Sequence, residues 1–87
     1  MTYRIGLASA ARRALTRDLP EAVATACANF LDGALAENPY RVGKPLRDEL
    51  EGQYAARRGE FRVIYEIHEE RVVVRVITIR HRRDAYR

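Results

Sequence analysis

The sequence predicts an α+β domain, ordered β-α-α-β-β-β, with two N-terminal helices packed on a four-stranded, mostly antiparallel sheet. Two observations carry this reading. Apolar residues recur at three- to four-residue intervals between Ala11 and Ala34, and at every second position near the start and through the last third of the chain. Chain length adds a limit: 87 residues form one domain spanning 1–87, which on folding hides only roughly 60 to 65% of the surface of the unfolded chain.

The first strand is Thr2 to Ala8, where Tyr3, Ile5 and Leu7 alternate. Ser9 offers an N-cap for a short helix whose apolar side is Ala11, Ala14 and Leu15. Asp18 and Glu21 have capping-box spacing around Pro20. Behind them Val23, Ala26, Cys27, Phe30, Leu31 and Ala34 follow the spacing of a second amphipathic helix. Asn38-Pro39 ends that helix, and Gly43 and Pro45 predict an irregular loop through "ENPYRVGKPL". Three strands follow, roughly Gln53 to Arg57, Phe61 to Ile67 and Val72 to Ile79.

Strand parity sorts the arginines. Phe61, Val63, Tyr65 and Ile67 form one face of the middle strand, matched by Val72, Val74, Val76 and Thr78, and these sets pack under the helices. A tight hairpin at "HEER" pairs Ile67 with Val72, Tyr65 with Val74, Val63 with Val76, and Arg62 with Ile77 on the reverse face. Arg75 then opposes Ile64. The turn at Gly59 pairs Arg57 with Arg62 on that same reverse face. Two guanidiniums side by side repel, so an anion bound between them accounts for the pair better than the fold does.

Charge and composition narrow the function. The net charge of +4 is concentrated: residues 1–39 hold four basic and four acidic side chains, residues 40–87 twelve and eight. An anionic partner docks on the second half. The single Cys27 permits no internal disulfide, and no stretch approaches the ~20 apolar residues of a membrane span. With no signal-peptide pattern at the start, the expected compartment is the cytoplasm. No His, Asp or Glu cluster has metal-ligand spacing, so neither metal nor cofactor is expected.

The succession "GKPL", "LEGQYAARRGEFRVIYEI", "VVVRVITIRHRRDAYR" resembles the RelE branch of the RelE/ParE toxin superfamily, the toxins of bacterial type II toxin–antitoxin modules. The likeness runs nearly without gaps over residues 40–87. It implies a curved sheet whose open face binds RNA. It also implies a ribosome-dependent mRNA endonuclease that cuts within the A-site codon and is neutralised by an antitoxin in a hetero-oligomer. Carried over by position, Arg62 corresponds to the arginine holding the scissile phosphate, Arg82 to a tail arginine at the leaving group, and Tyr86 to the C-terminal tyrosine near the attacking 2′-hydroxyl or stacked on a base. Arg57 stands on the preceding strand, where well-known members carry lysines. Lys44, Arg47, Arg58 and Arg83 are the further candidate contacts to mRNA or rRNA.

The chemistry of RNA cleavage fits these residue types. Attack of a 2′-hydroxyl on its own 3′-phosphate needs in-line geometry, a proton acceptor, stabilisation of the phosphorane charge and a proton for the departing 5′-oxygen. Arginine meets the third need, because its planar fork stays charged and bonds two phosphate oxygens. With a pKa above ~12 it is a poor acid, so Arg82 acts chiefly by neutralising the leaving oxygen. Tyr86, flanked by Arg82, Arg83 and Arg87, is a candidate base, and His81 is a second acid–base candidate whose parity points to the arginine face. Arg12, Arg13 and Arg17 read as a solvated helix face, Cys27 as a small buried hydrophobe, and Tyr3, Tyr54 and Tyr65 as packing residues. His68 reads as a solvated turn residue, and the acidic turn "EIHEER" as one that would repel RNA and point away from the site. Two other classes stay open: a ParE-like inhibitor of DNA gyrase, and a non-catalytic RNA- or antitoxin-binding module.

Overall fold

The computed structural model describes residues 2–82. Among them five strands form one sheet in the order β1-β5-β4-β3-β2: β1 (Arg4–Leu7), β2 (Lys44–Pro45), β3 (Gln53–Arg58), β4 (Phe61–His68) and β5 (Val73–His81). β1 lies parallel to β5, and every other pair is antiparallel. Helices α1 (Ser9–Arg13) and α2 (Glu21–Phe30) connect β1 to the rest, each followed by a widened turn, Ala14–Asp18 and Leu31–Leu35. A short α3 (Pro39–Val42) follows.

The core lies between the helices and one face of the sheet. Ala11, Ala14, Val23, Cys27, Leu31 and Leu35 meet Ala56, Phe61, Val63, Tyr65, Val74, Val76 and Ile79, all buried. The amphipathic spacing read in α2 therefore faces the sheet, as does the alternation of Ile5 and Leu7 in β1, which pair with Val74 and Val76. Cys27 is buried and unpaired, and burial pushes its thiol up to about 11.

Several expectations are corrected. The sheet has five strands among the described residues, because part of the predicted loop folds: Asn38 precedes α3, Pro39 opens it, and Lys44 and Pro45 pair with Ala55 and Tyr54. Pro45 is tolerated there because β2 is an edge strand. Neither helix start is capped as read. Ser9 lies inside α1 behind Ala8, and Pro20 precedes α2, with no side-chain capping bond at either.

The β4–β5 connection also departs from a tight hairpin. Glu69–Arg71 make a turn of 3₁₀ helix and Val72 closes it at φ 55°, a left-handed conformation that is costly for a β-branched residue. Val72 is thus spent on the turn, and Ile67 pairs with Val74 and Tyr65 with Val76. A bulge then interrupts the ladder, placing Ile64 opposite Thr78 and Val63 opposite Ile79. A bulge inserts one residue into one strand and so reverses its parity. Thr78 moves to the open face, and Ile79 takes its place in the core.

Tyrosines fasten the far end of the domain. The buried Tyr65 hydroxyl donates to the Pro39 carbonyl at 2.6 Å, its ring stacks on Tyr54 at 5.6 Å, and Tyr54 meets Tyr40 edge-on at 5.9 Å. Burial pushes the Tyr65 phenol up to about 12. Glu69 accepts hydrogen bonds from both Tyr3 (2.8 and 2.9 Å) and Tyr40, tying the β4–β5 turn to the start of β1 and to α3.

Candidate nucleic-acid interface

The face of the sheet away from the helices is organised in rows by the strand register. Arg57 on β3 opposes Arg62 on β4, and Arg62 opposes Arg80 on β5, so three arginines cross three adjacent strands on one line. The Arg57–Arg62 pair is as parity predicted. The Arg62–Ile77 pair is not: the turn and the bulge together move β5 by three residues and bring Arg80 in. Paired Cα atoms in such a ladder lie ~4.5 to 5.5 Å apart, so the three stems start within reach of one small anion.

The next row is Ala55, Ile64 and Thr78, with Lys44 joining from β2 opposite Ala55. A cleft of about 460 Å³ opens here, lined by Val42, Gly43, Lys44, Leu46, Ala55, Arg57, Arg58 and Arg62. It collects four basic residues and no carboxylate. Its wall depends on close backbone approach at Gly43, where a Cβ would collide with the Tyr65 hydroxyl and lie 2.9 Å from the Ala55 carbonyl oxygen. The missing side chain of Gly43 is therefore what lets β2 carry Lys44 up to the arginines.

The other candidates are distributed as follows. The Arg82 amide donates to the Glu60 carbonyl at 2.7 Å, pinning the start of the tail beside the β3–β4 turn and next to the arginine row. Arg83 and Tyr86 lie outside the described residues. Arg58 borders the cleft, but its parity places it on the helix side, opposite Phe61. Its guanidinium sits 4.9 Å from the centre of the Phe30 ring and donates to the Arg57 carbonyl. That is a packing role. His81 pairs with Phe61, on the helix side too, because the bulge reverses parity ahead of it. The expectation that His81 shares the arginine face is corrected accordingly. Arg47 is exposed in the connection after β2 and does not line the cleft. Arg75 opposes Glu66, at 4.0 Å between side chains, rather than Ile64.

Arg80 is the residue that sequence reasoning missed. Uninterrupted alternation from Val72 puts it on the buried face, an untenable place for an unpaired guanidinium, and that conflict was the available sign of a bulge between Val76 and Arg80. The resulting site is a strip of fixed positive charge beside a cleft, suited to holding a phosphodiester. Among the described residues no three of His, Cys, Asp and Glu gather as a metal-binding group, and no helix is long and apolar enough to cross a membrane.

Comparison with known proteins gives the family. The family described as ParE toxin of type II toxin–antitoxin system, parDE, matches residues 7–86. Toxin RelE of Mycobacterium tuberculosis is 46% identical over 85 residues, covering 98% of this chain and 87% of the relative. Toxin RelG of the same organism is 42% identical, covering 100% of this chain and 99% of its own. Among solved structures, the toxin–antitoxin complex RelBE2 of M. tuberculosis contains a chain that superposes with a TM-score of 0.90 at 40% identity, covering 94% of this chain and 100% of that one. With the family match spanning nearly the whole chain and relatives this similar at full length, the chain belongs to the RelE/ParE family of type II toxin–antitoxin toxins, on its RelE side.

Proposed function

We propose that the chain is a cytoplasmic mRNA endonuclease that cuts A-site codons on the ribosome by attack of a 2′-hydroxyl, and that a cognate antitoxin neutralises it. The observation that carries this reading is the row Arg57–Arg62–Arg80, flanked by Lys44 in a cleft without carboxylates. Like charges in adjacent strands are unfavourable for the fold alone. They become favourable when a phosphate, and above all a phosphorane with its extra charge, lies among them.

In the proposed step the 2′-oxygen forms a bond to phosphorus as its proton passes to a base, and the bond to the 5′-oxygen breaks as that oxygen gains a proton. The products are a 2′,3′-cyclic phosphate and a 5′-hydroxyl. Arg62, at the centre of the row, holds the scissile phosphate. Arg57 and Arg80 grip it from the two neighbouring strands, and Arg82 is delivered to the leaving oxygen by its anchor on Glu60. Tyr86 is the candidate base. The ribosome supplies the in-line geometry that an arginine strip cannot impose on a flexible strand.

The solved RelBE2 assembly is a toxin–antitoxin complex, and the same kind of partner suits this chain. An antitoxin segment with acidic and apolar side chains masks the basic cleft and thereby blocks the mRNA. The gyrase-directed reading draws support from the ParE description of the matching family. Against it stand the RelE and RelG relatives and the tail "HRRDAY", whose arginine and tyrosine together match the RelE pattern and have no catalytic purpose in a gyrase poison. Mapping 5′ ends of cellular mRNA shortly after induction tests the proposal. New ends fixed in reading frame are the expected result, whereas inhibited gyrase with no new ends would transfer the chain to the other branch.

A further inference from the structure

At the other end of the open face lies a second basic cleft that the arginine row does not use. It encloses about 250 Å³ and is lined by Gly6, Leu7, His68, Arg71, Val73 and Arg75. The register explains the cluster: Gly6 on β1 and Glu66 on β4 flank Arg75 on β5, while Arg4 and His68 flank Val73 in the next row. Glu66 stands beside the cleft and holds two of its groups, with His68 Nε2 at 3.1 Å and the Arg75 guanidinium at 4.0 Å. The Glu66 carboxylate thus lies between the two side chains. Gly6 keeps the floor open, since a Cβ there would meet only the Val73 Cγ1 at 4.0 Å.

We propose that this cleft is a second phosphodiester-binding subsite for single-stranded RNA, with Arg71 and Arg75 as the phosphate donors and His68 beside them. The proposal rests on the reading that the open face receives RNA. The cleft is too small for a whole ligand of ordinary size, for which pockets start near ~300 Å³, and it suits a phosphate with part of its sugar. Four residue steps along β4 lead from Arg62 to Glu66, or ~13 Å at ~3.3 Å per residue. A stacked strand rising ~3.4 Å per nucleotide crosses that span in about four steps, and an extended one in fewer. The ground between is the row Ala55, Ile64 and Thr78, and the carboxylate at its far edge, Glu66, is taken up by His68 and Arg75. One strand therefore contacts both clefts at once, and the second adds affinity and direction without touching the reacting atoms.

The test is fluorescence anisotropy on the full chain with two fully 2′-O-methylated, uncleavable RNAs of mixed sequence, about 4 and about 10 nucleotides long, across a salt series. The longer RNA is expected to bind more tightly to the natural chain. In R71A/R75A its affinity falls about tenfold, and the slope of log K against log salt shrinks by up to ~1.4, while the short RNA is unaffected. Gly6→Val fills the cleft without changing charge and gives the same selective loss, with folding checked by circular dichroism. Equal binding of both lengths to R71A/R75A and the natural chain overturns the subsite. An equal loss for both lengths also overturns it, since that is a diffuse charge effect. A natural chain that binds neither RNA overturns the RNA reading of the whole face, a result distinct from either.

Discussion

Arg62 on β4 lies directly opposite Arg80 on β5, with Arg57 completing the line from β3. Opposed like charges on one sheet face cost the fold ~0.2 to 1 kcal/mol per pair. On the proposed function, the row is thus a place where stability and activity pull apart. Arg80→Gln keeps much of the side-chain stem and removes one charge. It is expected to leave the melting temperature unchanged or to raise it by up to a few degrees, since ~1 kcal/mol corresponds to ~4 to 8 °C in a domain of this size. Single-turnover cleavage should fall by roughly 10² to 10³, the usual loss for a donor aimed at transition-state charge. A lowered melting temperature with intact cleavage would make the row a structural feature.

A comparison of Arg62→Ala with Arg75→Ala separates position from charge, because both sit on the open face and each substitution removes one positive charge. Arg75 has the Glu66 carboxylate 4.0 Å away and stands two rows from the arginine line. On saturated ribosomes Arg62→Ala should cripple single-turnover cleavage while Arg75→Ala stays close to the natural rate. Any effect of Arg75→Ala belongs in binding and its salt dependence. Equal rates at saturation would mean that the reacting phosphate lies elsewhere.

The nucleophile can be checked on the substrate. A single 2′-deoxy substitution at the cut should abolish cleavage, and products from the natural substrate should carry a 2′,3′-cyclic phosphate and a 5′-hydroxyl in undiminished yield in excess EDTA. Efficient cutting of the deoxy substrate would remove the 2′-hydroxyl mechanism.

What the sequence disclosed follows from how far each interaction reaches along the chain. The Arg57–Arg62 pair was legible because Gly59, at φ 51°, closes a short turn and nothing interrupts the ladder beside it. The helix and strand faces were legible from Val23 and Cys27 or Val63 and Tyr65, whose spacing matches the period of their element. Arg80 was hidden by a bulge, which a period-two reading cannot see, and by a turn that consumes Val72. Lys44 was recognised as a cation, but a two-residue strand has no periodicity to read. The Tyr65–Pro39 and Tyr3–Glu69 hydrogen bonds join residues 26 and 66 positions apart, so no local pattern signals them.

Gly43 provides a test of the cleft's architecture. At Gly43→Ala the new methyl meets the Tyr65 hydroxyl and the Ala55 carbonyl, so either β2 moves off β3 or Tyr65 gives up its bond to the Pro39 carbonyl. Overpacking of this kind costs ~1 to 3 kcal/mol. The expected outcome is a lower denaturant midpoint at an unchanged m-value, with weaker RNA binding through the displaced Lys44. Tyr65→Phe/Gly43→Ala, which clears the hydroxyl, should recover part of the stability lost in Gly43→Ala alone. No recovery would place the clash elsewhere.

The last expectation concerns pH, and its sign comes from Glu69. Hydrogen bonds from Tyr40 and then Tyr3 hold this carboxylate below its usual range. A carboxylate with a depressed folded-state pKa contributes stability that is present above the unfolded value, near ~4.3, and lost as pH falls through the folded value. On the alkaline side the same contacts act in the opposite sense. The Tyr40 phenol is pushed up to about 12, chiefly by its bond to Glu69, so its contribution is complete below the unfolded value of 10.0 and is lost as pH rises toward 12. The clasp between the β4–β5 turn, β1 and α3 is therefore fully made between those limits and loosens beyond both. Melting curves from pH 2.5 to 7 for the natural chain and for Y3F/Y40F should show the largest gap near neutrality, closing as the solution becomes acid, while Arg62-dependent cleavage at pH 7 is retained in the variant. A gap of constant size across that range would mean that the two phenols stabilise the fold by packing alone, and that Glu69 does not feel them.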